Sequence, residues 1–238
     1  MKNILFILIV APIMALASGG APLDKAPVNL TDQASLQRGA RAFVNYCLNC
    51  HGAAYMRYSR LTDLGLSEAQ IKDDLIVTGV KVGETMKVAM RQEDARGWFG
   101  AAPPDLTMVG RSRGADWLYS YLRGFYRDDS RATGWNNIVF DKVAMPHVLY
   151  RLQGEQILEH AGGDGNSHAA KKLVLDKPGT LSPKEFDQLA GDLTNFLVYL
   201  GEPGSVARKQ LGTMVLIFLA VLLVLAYFLK KEFWKDVH

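Results

Sequence analysis

Cys47-Leu48-Asn49-Cys50-His51 sets two thiols two residues apart and follows them at once with an imidazole. That order is the pattern of a c-type haem attachment site, with Cys47 and Cys50 forming thioethers to the porphyrin and His51 following as an axial iron ligand. The spacing has a physical reason: one turn of backbone presents both sulfurs to the two vinyl edges of one macrocycle, and the next side chain lies beneath the iron. A redox-active pair, half of a zinc site and a structural disulfide compete for the same two cysteines. The chain holds no second cysteine pair to complete a tetrahedral zinc site, and a redox Cys-x-x-Cys does not require the adjacent histidine. One covalently attached haem c is therefore the expected cofactor.

A second iron ligand must come from elsewhere in the chain. Met145 is the choice, in Val143-Ala144-Met145-Pro146-His147-Val148-Leu149-Tyr150. Pro146 stiffens that loop and apolar residues flank it, as a thioether delivered into a dry pocket requires. His51 and Met145 as the metal ligands would raise the haem potential and leave no open coordination position, which suits electron transfer rather than oxygen chemistry. His147 is the rival ligand. Met86 and Met90, four residues apart, read more naturally as packing residues. His160 and His168 fall in a Gly- and Asp-rich stretch and read as solvent-facing loop residues.

Ala102-Pro103-Pro104-Asp105-Leu106 is rigid, with two fixed φ angles and no amide donors at the prolines. It can wall a flat cofactor without stranding backbone donors, so Pro103 and Pro104 are cofactor-binding candidates. Arg111 and Arg113 follow, and the planar fork of arginine matches a carboxylate such as a haem propionate. Solvated surface arginines are the alternative for both. No acid/base or nucleophile constellation is needed, and no catalytic residue is assigned.

The elements that must position these residues are mainly helical. Residues 21 to 31 read as an extended lead-in. Asp32 can then cap a helix with Leu36, Ala40, Phe43, Val44 and Cys47 at three- and four-residue steps. Ser67-Glu68-Ala69-Gln70 opens a second helix that Gly79 stops. Residues 81 to 102 read as irregular, Asp116 to Leu122 as a short helix carrying Trp117 and Tyr121, and residues 125 to 141 as a long connection centred on Gly134-Trp135-Asn136-Asn137. Ser182-Pro183-Lys184-Glu185 marks a helix start. Its apolar face, Phe186, Leu189, Leu193, Phe196, Leu197 and Leu200, should cross the first helix.

Both ends of the chain read as membrane signals. Residues 1 to 17, with Lys2, an apolar run and Ala15-Leu16-Ala17, form a cleavable signal peptide. Leu211 to Leu229 is uncharged and apolar between basic flanks, and as a helix it spans about 28 Å, close to the bilayer's hydrocarbon thickness. The organisation is then residues 1–17 signal peptide, 18–210 one extracytoplasmic haem domain, 211–229 transmembrane helix and 230–238 cytoplasmic tail. The formal net charge is only +3, and charges nearly cancel between residues 18 and 210, so nucleic acid binding is not indicated.

Gly39 and Phe43 precede Cys47 in a spacing that resembles the first helix of class I cytochromes c. The order of Cys47-x-x-Cys50-His51, Pro103-Pro104-Asp105-Leu106, Arg111-Ser112-Arg113, Met145-Pro146 to Tyr150 and one C-terminal span is more specific. From about residue 32 onward the chain closely resembles cytochrome c1, the haem subunit of the quinol:cytochrome c reductase, or bc1, complex. The resemblance implies a class I cytochrome c-like domain with extra loops and one C-terminal transmembrane helix. It also implies His51 and Met145 as axial ligands, Pro103 and Pro104 against the haem, and Arg113 facing a propionate. Cytochrome b and a Rieske iron–sulfur protein would be the partners, with a cytochrome c as electron acceptor. The location would be the bacterial cytoplasmic membrane, single-pass, with the haem domain on the periplasmic side. The chain departs from many relatives at Pro146-His147, where they have a proline pair, and at Trp98-Phe99-Gly100, where mitochondrial-type members have an Asn-rich stretch. A free-standing membrane-anchored cytochrome relaying electrons to an oxidase or from a dehydrogenase is the alternative, and a haem enzyme or gas sensor with an exchangeable ligand a third reading.

Overall fold

The computed structural model describes residues 22–161 and 170–236, so the expected signal peptide and His168 lie outside the described residues. After the lead-in the elements run α1 (Gln33–Ala42), β1 (Ala53–Arg57), α2 (Glu68–Gln70), β2 (Thr85–Met86), α3 (Gln92–Phe99), α4 (Val109–Ser112) and α5 (Ala115–Arg123). They continue with β3 (Phe125–Arg127), β4 (Trp135–Asn137), α6 (Tyr150–Gln153), β5 (Gly154–Ala161), β6 (Ala170–Pro178), α7 (Pro183–Gly201) and α8 (Ser205–Phe233).

Asp32 opens α1 by accepting from the Ser35 N–H at 3.0 Å, which satisfies one donor that the first helical turn leaves unpaired. The helix then widens into a π turn over Phe43–Cys47, where the Leu48 N–H reaches back five residues to the Phe43 carbonyl at 2.9 Å. The extra residue in that turn re-aims the chain beyond it. Phe43, Cys47 and Leu48 stay in the core while Cys50 and His51 are only half-buried.

α7 starts with a closed capping box: the Ser182 N–H donates to Glu185 Oε2 at 2.8 Å and the Glu185 N–H to Ser182 Oγ at 3.4 Å, with Pro183 in the first turn. It crosses α1 at very short range. A Cβ added to Gly39 would lie 2.7 Å from Phe196 Cβ and closer still to the Asp192 carbonyl oxygen. Beside that point the Phe43 and Phe196 rings meet at 5.6 Å, and Arg38 forks onto the Asp192 carboxylate at 2.6 and 3.0 Å. Asn195 is wholly buried yet satisfied. Its Nδ2 donates to the Asn29 carbonyl at 2.8 Å and to Ser35 Oγ at 3.1 Å, and its Oδ1 accepts from the Asn29 N–H at 3.1 Å. The lead-in is thus strapped over α7, and further on over α5, where the Ala26 N–H reaches Asp116 Oδ1 at 2.8 Å.

Several connections are more ordered than their composition implied. The Ser67-capped helix is only α2 followed by a second π turn over Ile71–Leu75, and it ends before Gly79. The stretch at 81–102 contains β2, antiparallel to β1 with Met86 opposite Ala53, and α3, closed by Gly100 in the left-handed region. β3 and β4 make a hairpin with Tyr126 opposite Asn136, and β5 and β6 pair antiparallel with Gly154 opposite Pro178. α8 begins at Ser205 and runs to Phe233, so the expected span at 211–229 lies inside a longer helix, and only residues 202–204 separate it from α7. It is long and apolar enough to cross a membrane, with mean hydropathy 2.7 and none of that window buried.

Gly39→Ala should lower stability by about 1–3 kcal/mol, because the added methyl must push two helices apart. Gly97→Ala, on α3 where a Cβ meets nothing within 4 Å, should be neutral or stabilising by up to about 1 kcal/mol. Thermal unfolding of the two variants checks the contrast, and equal midpoints would contradict it.

Candidate haem site

Past the π turn, the N–H groups of Cys50 and His51 both fold back onto the Cys47 carbonyl, at 3.0 and 2.8 Å. The turn holds both cysteines and the histidine on one short piece of backbone. Cys47 and Cys50 are not bonded to each other. Burial, and then the neighbouring Cys50, push the Cys47 thiol up to about 12, and burial raises Cys50 as well.

The His51 ring is oriented by a single bond, 2.8 Å from Nδ1 to the Pro104 carbonyl oxygen. A carbonyl only accepts, so Nδ1 carries the proton and Nε2 keeps the lone pair that a metal takes. Burial lowers the His51 pKa, with the Pro104 bond and Asp105 acting in the opposite sense. Pro104 is fixed in turn by Asp105. One carboxylate oxygen accepts from the Ala54 N–H at 2.7 Å, and the other from the Thr107 N–H at 2.9 Å and the Thr107 hydroxyl at 2.6 Å. The Leu106 N–H adds a bond to the Gly52 carbonyl at 2.8 Å. The proline segment is therefore stitched to the residues just after the haem motif.

Between these walls lies a cavity of about 330 Å³ with an almost wholly apolar lining, within the usual range for cofactor pockets. Cys47, Cys50, His51, Pro103, Pro104, Arg113 and Met145 all border it. Leu193 and Leu197 of α7 contribute to its lining. The Tyr121 hydroxyl donates to Met145 Sδ at 3.3 Å. Trp117 and Tyr121, one turn apart on α5, stack at 4.7 Å, and the Arg113 guanidinium lies 5.1 Å from the Trp117 ring centroid and 5.9 Å from that of Phe140. Among the described residues no carboxylate forms an ion pair with Arg113, which leaves its fork for a carboxylate on the cofactor.

The other candidates fall outside the lining. Arg111 packs against Gly201. Met86 is fully buried beside β1, and Met90 does not reach the cavity. His147 is buried in a separate aromatic cluster, stacked on Phe125 at 4.8 Å and edge-on to Trp135 at 5.0 Å. Burial pushes its pKa down to about 4. Sequence reasoning did not assign roles to Asp105, Tyr121, Tyr46 or Phe140. Trp117 and Tyr121, carried by the helix expected over Asp116 to Leu122, both line the pocket.

The donor set fits a c-type haem: two thiols and a neutral imidazole on one wall, a thioether on the same cavity, apolar faces and an unpaired guanidinium. The model of the cytochrome c1 family matches residues 24–237. The chain belongs to the cytochrome c1 family. A protein named cytochrome c1 from Allochromatium vinosum is 49% identical over 97% of this chain and 96% of its own length. One from Rhodospirillum rubrum is 30% identical over 87% and 83%. A protein of Nitrosomonas europaea named ammonia monooxygenase gamma subunit is 54% identical over the whole chain and 98% of its own length. As a cytochrome c1 family protein the chain carries one covalently bound haem c.

Asp105→Ala would strip the acceptor from three donors and loosen the proline wall. It should cost about 1–3 kcal/mol in denaturant unfolding of the haem-loaded chain, and a change below about 0.5 kcal/mol would contradict the buttress.

Proposed function

We propose that the chain is the membrane-anchored electron-transfer subunit of a bc1 complex, receiving single electrons from a Rieske iron–sulfur protein beside cytochrome b and passing them to a cytochrome c. The observation that carries this reading is one apolar cavity bordered by Cys47, Cys50, His51 and Met145 in a chain of the cytochrome c1 family. When bound, the haem supplies the one-electron chemistry of iron, and the protein supplies ligation, orientation and a dry surrounding. Cys47 and Cys50 tether it. His51 ligates through Nε2, its tautomer set by Pro104, and Met145 ligates through sulfur. Arg113 takes a propionate, and Pro103 and Pro104 wall one face. With His51 and Met145 both holding the iron, exchange with oxygen would be suppressed and electron transfer favoured.

Residues 1–17 serve as the signal peptide and α8 as the single anchor, so that residues 18–210 lie on the periplasmic side of the bacterial cytoplasmic membrane and residues 230–238 in the cytoplasm. The name of the Nitrosomonas relative favours a second reading, in which the same haem domain serves a monooxygenase. Even there, closed axial coordination would make this chain a relay rather than the site of oxygen chemistry.

Two measurements test the proposal. Isolation from membranes in mild detergent should bring cytochrome b and a Rieske protein with the haem-stained chain; recovery with monooxygenase subunits, or alone, would contradict it. Met145→Leu should lower the reduction potential and let the reduced protein bind carbon monoxide, whereas an unchanged low-spin spectrum would remove Met145 as ligand.

A further inference from the structure

Two buried carboxamides organise the stretch that leads into Met145, and neither borders the haem cavity. Asn136 and Asn137, consecutive residues of β4, are 4% and 1% exposed. Asn136 Nδ2 donates to Asp128 Oδ2 at 3.0 Å and to Asp141 Oδ1 at 2.9 Å. Its Oδ1 accepts from the Asn137 N–H and the Lys142 N–H, both at 2.9 Å. Both donors and both acceptor positions of the amide are therefore used, and the two ends of the 128–142 stretch close on one side chain. Asn137 Nδ2 donates to the Tyr121 carbonyl at 2.8 Å, while its Oδ1 accepts from the N–H groups of Val139 at 2.9 Å and Phe140 at 3.3 Å.

These bonds converge on the ligand loop. Lys142 sits at φ 58°, a left-handed backbone that a lysine adopts only when its surroundings impose it. Its N–H is the group that Asn136 holds. The next residue, Val143, is buried against Phe125 and Trp135, and Met145 follows two residues later. On the other side Asn137 grips the backbone of Tyr121, whose hydroxyl donates to the Met145 sulfur. The chain that approaches Met145 and the hydroxyl that meets it are thus referenced to the same pair of amides.

We propose that Asn136 and Asn137 are positioning residues for the sixth iron ligand, holding the residue 142–145 approach and Tyr121 so that the Met145 thioether stays in the cavity. This rests on Met145 as the ligand. Removing the Asn136 amide takes the acceptor from the Asn137 and Lys142 N–H groups, and removing the Asn137 amide takes it from those of Val139 and Phe140, so the loop loses the bonds that fix its path and can rehydrate by opening. Opening withdraws the sulfur but leaves the thioether tethers intact, so lost positioning is separable from lost cofactor.

The test uses the full-length haem-loaded chain in detergent as wild type, Asn136→Ala, Asn137→Ala, Asn136→Asp and Met145→Leu, with Gly39→Ala as a variant destabilised away from the ligand loop. Absorption from sulfur-to-iron charge transfer in the oxidised form, carbon monoxide binding by the reduced form and thermal unfolding are read on each. The alanine variants should keep haem staining, weaken the charge-transfer band and raise carbon monoxide binding by about tenfold or more, the factor one buried hydrogen bond is worth. Asn136→Asp, which sets a carboxylate against Asp128 and Asp141, should behave alike, and Gly39→Ala should unfold earlier with the band unchanged. Alanine variants that lose stability as Gly39→Ala does but keep the band and bind no more carbon monoxide would overturn the proposal. A Met145→Leu spectrum identical to wild type would instead overturn the ligand assignment beneath it. Asn136→Ser, read by the same criteria, decides the matter if Asn136→Ala does not accumulate.

Discussion

The contact between α1 and α7 at Gly39 is the constraint on which the haem domain depends. The helices approach so closely there that no side chain fits between Gly39 and the Asp192 carbonyl. That closeness lets Phe43 meet Phe196, and it fixes where α1 ends. Because α1 ends in a π turn, the chain after Phe43 turns away from the helix axis and carries Cys47, Cys50 and His51 to the cavity that α7 borders with Leu193 and Leu197. Polar groups on the same helix, Asp192 and Asn195, face partners on α1 and the lead-in rather than solvent. Each is paired, which is what makes their burial tolerable.

The cavity combines segments distant in sequence, each with its own brace. Asp105 stitches the proline wall to the residues after His51, and the proline wall sets the His51 tautomer. α5 supplies Trp117 and Tyr121, with Tyr121 reaching the Met145 sulfur. In the proposed ligation, the imidazole and the thioether are each oriented by a hydrogen bond to a group that is itself held in place. Such bracing limits reorganisation around the iron, and the apolar lining excludes water. Both favour a haem that changes charge without changing ligands.

The parts legible in the sequence were those specified locally. The haem motif, the caps at Asp32 and Ser182, the crossing residues Gly39 and Phe43, and the apolar C-terminal run all carry their signal within a few residues, and Cys47, Cys50, His51, Pro103, Pro104, Arg113 and Met145 border one cavity while Arg111 and His147 do not. What escaped was specified at a distance. α3 has no side-chain cap and buries only Ala95. The β3–β4 hairpin is held by asparagine side chains whose partners lie on α5 and beyond the turn, and the paired strands β5 and β6 flank a stretch whose glycines and aspartates look like loop. His147 was a plausible ligand by type and position. Its exclusion from the lining comes from Phe125 and Trp135, which enclose its ring and which no local pattern relates to it.

The central claim is that this one cavity presents a nitrogen from His51 and a sulfur from Met145 to the same iron. X-ray absorption at the iron edge, on the purified full-length chain in both oxidation states, tests it most directly. The account predicts a single thioether sulfur among nitrogen neighbours, retained on reduction. An all-nitrogen shell, or a vacant axial position in either state, would contradict it.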